Sequence, residues 1–146
     1  MTAFHEPVFQ AYVLAASAAI ILMYALGFLT AKTRADRKIV LNREDAKING
    51  GATVAEVEHA DVARLKRAHQ NAIEATVPFL AIGFLYAMTA PGVTMARALF
   101  AVFVIARLLH AIFYVGAKQP FRTIAFGIGT LANVIMVVQV VRAALG

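Results

Sequence analysis

The chain reads as an all-α integral membrane protein, a bundle of four spanning helices. Apolar residues make up 61% of the sequence and the mean hydropathy is +0.73. One core built from 146 residues does not hide that much apolar surface, so the excess faces lipid. Charge is also gathered into one stretch, with long uncharged runs on either side of it.

The first uncharged run covers 8–31. At 1.5 Å per residue it reaches roughly 36 Å, enough to cross a bilayer with some tilt. The residues before it lack the basic stretch of a secretion signal, and no small-residue cleavage site follows, so it is read as a retained helix. A second span is placed at 72–90, with Pro78 and Gly83 inside it and a Pro91-Gly92 turn that stops it near Ala90. The third, 96–117, carries Arg97, Arg107 and His110. The fourth, 123–145, has no charge until Arg142. All four belong to a single membrane domain, 1–146.

Between the first two spans, the loop at 32–71 holds Lys32, Arg34, Arg37, Lys38, Arg43, Lys47, Arg64, Lys66 and Arg67 of the chain's 14 basic residues. Loop Lys and Arg set orientation, so this loop and the one at 118–122 are assigned to the cytoplasmic side and both termini to the opposite side. The net charge of +6 is thereby explained by topology; its basic residues are not interleaved with aromatics as in a nucleic-acid surface. Absence of cysteine excludes disulfides, thiolate metal sites and a cysteine nucleophile. In the loop, Asn42 followed by Glu44 and Asp45, with Gly50-Gly51 as a stop, predicts a short surface helix. Thr53 and Glu56 have capping-box spacing, which predicts that the second long helix starts there.

Polar residues inside the spans carry the functional signal. Arg67, Asn71 and Glu74 share one helical face, and Arg107, His110 and Tyr114 share another. Glu74 opens an apolar run, where a carboxylate requires a cation or a proton. Ionisable groups at this depth face a bundle interior or a wet cavity. Arg122 begins the fourth span, where snorkelling to the interface is the bland alternative; for Arg34 that alternative is positive-inside anchoring. Together the groups describe a cationic, cytoplasm-facing pocket open to the hydrocarbon phase. It suits a small, multiply charged molecule and an apolar co-substrate arriving through membrane lipid.

The run 64–74, followed by Pro78-Phe79, resembles the second-helix signature of the MAPEG family, the membrane-associated proteins in eicosanoid and glutathione metabolism. The resemblance extends through 42–46, Gly50-Gly51, 107–116 and 120–123, and is nearest the prostaglandin E synthase and microsomal glutathione S-transferase branch. It implies a homotrimer with active sites between subunits and glutathione near the cytoplasmic face, in a bacterial inner membrane or the endoplasmic reticulum. Arg67, Asn71, Glu74, His110 and Tyr114 would hold glutathione, Arg107 would belong to the same network, and Arg34 would come from a neighbouring subunit. Arg122 matches the arginine that stabilises the thiolate, and Thr123 and Asp45 match a serine and an aspartate proposed to take part.

The expected activity is glutathione transfer or peroxide reduction acting on lipophilic electrophiles or hydroperoxides, a detoxification chemistry, or an isomerase reaction like that of the prostaglandin synthases. The alternatives are a non-catalytic lipid-binding scaffold of the same fold and a small transporter; the transporter lacks internal repeats and paired broken helices to support it. Three positions depart from the branch: Phe126 stands for a tyrosine, Gln70 for an arginine and Thr123 for the serine.

Overall fold

The computed structural model describes residues 3–48 and 50–146. Four long helices dominate it: α1 (Pro7–Arg37), α3 (Ala60–Met88), α4 (Val93–Val115) and α5 (Phe121–Leu145), with a short α2 (Arg43–Ile48) in the connecting loop. Each long helix is long and apolar enough to cross a membrane. α3 and α4 pack against both other long helices, whereas α1 and α5 lie on opposite sides without touching.

Side-chain size is distributed as expected for a bundle in lipid. Leu14, Ile21, Tyr24 and Phe28 point outward from α1, while Ala15, Ala16 and Ala19 are buried. With apolar solvent outside, close approach between helices depends on small residues at the seam. At Gly83 an added Cβ would lie 3.1 Å from the Tyr12 ring, so this glycine makes room for the ring. Tyr12 also donates its hydroxyl to the Leu80 carbonyl at 2.8 Å. Below it, the Phe79 and Phe103 rings stack with centroids 3.9 Å apart and tie α3 to α4. α3 runs unbroken through Pro78.

Both helices at the basic end extend past their apolar runs. α1 continues to Arg37, and Lys38 ends it in the left-handed region at φ 50°. α2 follows Asn42 as expected, and the N–H of Gly51 closes its end on the Ala46 carbonyl at 2.9 Å. The start of α3 differs from expectation. Thr53–Val54 forms a strand, β2, paired in parallel with β1 (Ile39–Val40). The N–H groups of Thr53 and Ala55 are taken by the Lys38 and Val40 carbonyls at 2.8 and 2.9 Å. The helix starts seven residues later, with His59 Nδ1 accepting from the Asp61 N–H at 3.2 Å.

Two ion pairs staple this loop to α1. Arg34 pairs with Glu58, which Lys66 also approaches at 3.5 Å, and Arg37 pairs with Asp61 at 2.6 Å. Glu58 is only 12% exposed. Burial pushes its carboxyl up, but the hydrogen bond from Arg34 and the charges of Lys66 and Arg34 outweigh burial and hold it below its usual 4.5. A lowered folded value means the pair stabilises the loop fully above that usual value, and the contribution is lost as pH falls through the folded one. Glu58→Gln should loosen the docked loop at neutral pH by about 1.5–3 kcal/mol. Amide exchange across residues 52–59 should accelerate in the variant, and in the unmodified protein on acidification. Equal exchange rates at neutral pH would contradict the staple.

Candidate active site

The site is built where α3, α4 and α5 meet. Arg107 is 4% exposed and reaches from α4 to α3, donating to Asn71 Oδ1 at 2.7 Å and to the Asn71 carbonyl at 3.2 Å. Both acceptors are neutral, and no carboxylate pairs with Arg107 among the described residues. Gly129 permits this placement, since a Cβ there would sit 3.3 Å from Arg107 Cδ.

One turn further along α4, His110 is equally buried, with Nδ1 3.0 Å from the Arg122 carbonyl. A carbonyl only accepts, so Nδ1 carries the hydrogen and, in the neutral ring, Nε2 is left as an acceptor. That Nε2 is buried with no partner among the described residues. The Arg122 guanidinium lies 4.5 Å from the centroid of the Tyr114 ring, which holds it by cation–π attraction. The His110 ring is 5.5 Å from Tyr114 and 5.8 Å from Phe126.

Asn71, Glu74, Arg107 and Phe126 line one end of a groove of about 340 Å³ between α3 and α5. Glu74 is exposed and accepts from Gln70 Nε2 at 3.1 Å. Of the cation or proton the sequence expects, no cationic side chain pairs with it among the described residues; the carboxylate takes an amide and stays open to a ligand ammonium. The Arg107 guanidinium and the Glu74 carboxylate, both lining this groove, offer one charge of each sign to an amino-acid-like ligand.

Of the residues singled out from the sequence, Asn71, Glu74, Arg107, His110, Tyr114 and Arg122 converge. Four do not join them within one chain. Arg34 is held by Glu58. Asp45 lies on α2, accepting from Asn42 at 3.2 Å. Thr123 is exposed and donates to Gln119 Oε1 at 3.0 Å. Arg67 is exposed on α3, one turn before Asn71. Sequence reasoning missed Gly129, whose role is to leave space, and Asn133, which lines the far end of the groove; a lone amide in an uncharged span was the available signal.

The MAPEG family model matches residues 12–142. The chain belongs to the MAPEG family. Prostaglandin E synthase of Bos taurus is 34% identical over 135 residues, covering 92% of this chain and 88% of that protein. The Homo sapiens prostaglandin E synthase is 32% identical over 136 residues, 92% and 89% of the two chains. Microsomal glutathione S-transferase 1 of Sus scrofa is 37% identical over 126 residues, 84% and 81%. These MAPEG relatives are enzymes, and Asn71, Glu74, Arg107, His110, Tyr114 and Arg122 all lie within the matched region.

Proposed function

We propose that this protein is a glutathione-dependent membrane enzyme that stabilises the glutathione thiolate and directs it at a lipophilic electrophile or hydroperoxide. The observation that carries the reading is the Arg122 guanidinium, seated on the Tyr114 ring beside His110, which reaches the Arg107–Asn71 contact through Phe126. The residues lining the groove fit the peptide: Arg107 answers a carboxylate and Glu74 an ammonium.

Glutathione supplies a thiol whose ordinary pKa is about 8.5 or somewhat above. With glutathione bound, Arg122 would lower the cost of losing that proton by offering a permanent positive charge to the sulfur, since a guanidinium keeps its charge when partly desolvated. Tyr114 keeps the guanidinium in place, and the His110 contact fixes the backbone of the turn from which it projects. Phe126 offers no hydroxyl, so help from that position is absent.

In the same reading the chain works as a homotrimer with its site facing the cytoplasm. Arg34 approaches a neighbouring subunit's site, Arg67 extends the cationic rim, and Thr123 and Asp45 assist near the sulfur. Transfer is the leading reaction; peroxide reduction and a prostaglandin-type isomerisation use the same thiolate. Calorimetry in detergent should show glutathione binding, and an aryl halide should then be conjugated. Absence of both would favour the non-catalytic scaffold.

A further inference from the structure

We propose that Asn133, deep in the groove between α3 and α5, binds the lipophilic second substrate and selects molecules bearing a hydroxyl or hydroperoxide on an otherwise apolar chain. This rests on the glutathione reading above but concerns a different part of the groove.

The groove is polar at one end, where Asn71, Glu74 and Arg107 lie, and apolar along Phe103, Val134 and Val137. Asn133 interrupts the apolar part. It follows Phe126 by seven residues on α5, two helical turns on the same face, so its amide sits roughly 10 Å below the Arg107–Phe126 level. Its Oδ1 is buried and has no hydrogen-bond partner among the described residues. An unpaired acceptor in apolar surroundings costs free energy that an alanine or valine at the same place would not. A ligand that brings a donor recovers it.

The chemistry of the amide specifies the donor. Asn133 presents one acceptor and one donor, and an O–H group both donates and accepts, so it matches the amide in either of its flipped orientations. Ethers, esters and ketones only accept and leave Oδ1 unpaired.

The test uses two α,β-unsaturated ketones with the same straight alkyl chain, one carrying a hydroxyl about 10 Å along the chain from the electrophilic carbon. The full-length protein in detergent is first shown by calorimetry to bind glutathione. It should then prefer the hydroxylated ketone about 10-fold or more in kcat/KM. Asn133→Val should bring that ratio to about one, and Asn133→Ser, which keeps a small donor and acceptor, should retain part of it. Glutathione affinity, within about twofold of the original in both variants, reports that they are folded. Binding of glutathione with no preference in the unmodified protein, or a preference that survives Asn133→Val, would overturn the inference alone. So would a change of assembled mass in Asn133→Val, which would make the amide a contact between copies of the chain. No glutathione binding in the unmodified protein would overturn the function reading and this inference with it.

Discussion

Arg122→Ala is expected to bind glutathione within a few-fold of the unmodified protein yet conjugate an aryl halide about 100-fold to 1,000-fold more slowly. That is the usual range for removing one charge-stabilising group from the reacting centre. The split follows from the geometry. Arg107 and Glu74 line the groove from other positions and keep their places, whereas the guanidinium on Tyr114 is assigned to the sulfur. Arg122→Lys should recover only part of the rate, because an ammonium is more strongly hydrated and lacks the planar face that lies on the phenol ring. Comparison of kcat and the calorimetric Kd in the two variants checks this. Loss of binding equal to the loss of rate would move Arg122 from the sulfur to the peptide's carboxylates.

A second large effect is expected at Arg107. Arg107→Met roughly conserves length but leaves Asn71 Oδ1 without its donor, which is itself buried. Glutathione affinity should fall about 100-fold, in line with losses of 2–5 kcal/mol when one partner of a buried charged contact is truncated. Thermal stability should fall as well, by about 1 kcal/mol for the lost contact between α3 and α4. Asn71→Leu in the Arg107→Met background tests the coupling: removing both partners should restore much of the stability but none of the affinity. Additive losses of stability in the double variant would show that the two side chains act independently.

The spans were legible because bilayer crossing imposes a long uncharged run, and 8–31 and 123–141 carry no Asp, Glu, Lys or Arg. Less visible was how far helices continue beyond the hydrocarbon. α1 reaches Arg37, its last turns braced by the Lys32–Asp36 pair at 2.8 Å and by Glu58 and Asp61 from the loop. Glu58 carries no signature of that role, since its partner lies on another element. The Thr53 capping box failed for a related reason. A two-residue ladder with Ile39–Val40 took the backbone donors that a cap would have satisfied, and such a short pairing leaves no periodic pattern.

In the site, helical spacing was enough to place Asn71 and Glu74 on one face and Arg107 and His110 on another. It was not enough to show that Arg107 bonds Asn71 twice, or that His110 takes the carbonyl of Arg122 as its partner. A backbone acceptor has no residue identity to read. Glu74 illustrates the limit of a pairing rule: among the described residues its partner is the amide of Gln70, one turn back, rather than a cation.

The central claim is that this groove holds glutathione as its thiolate. Ultraviolet titration of the bound thiol tests it most directly, by following thiolate absorbance against pH in the saturated protein. The account predicts a midpoint shifted from the free value, about 8.5 or somewhat above, toward neutrality, and a return to the free value in Arg122→Ala. A bound thiol that titrates like free glutathione in the unmodified protein would contradict it.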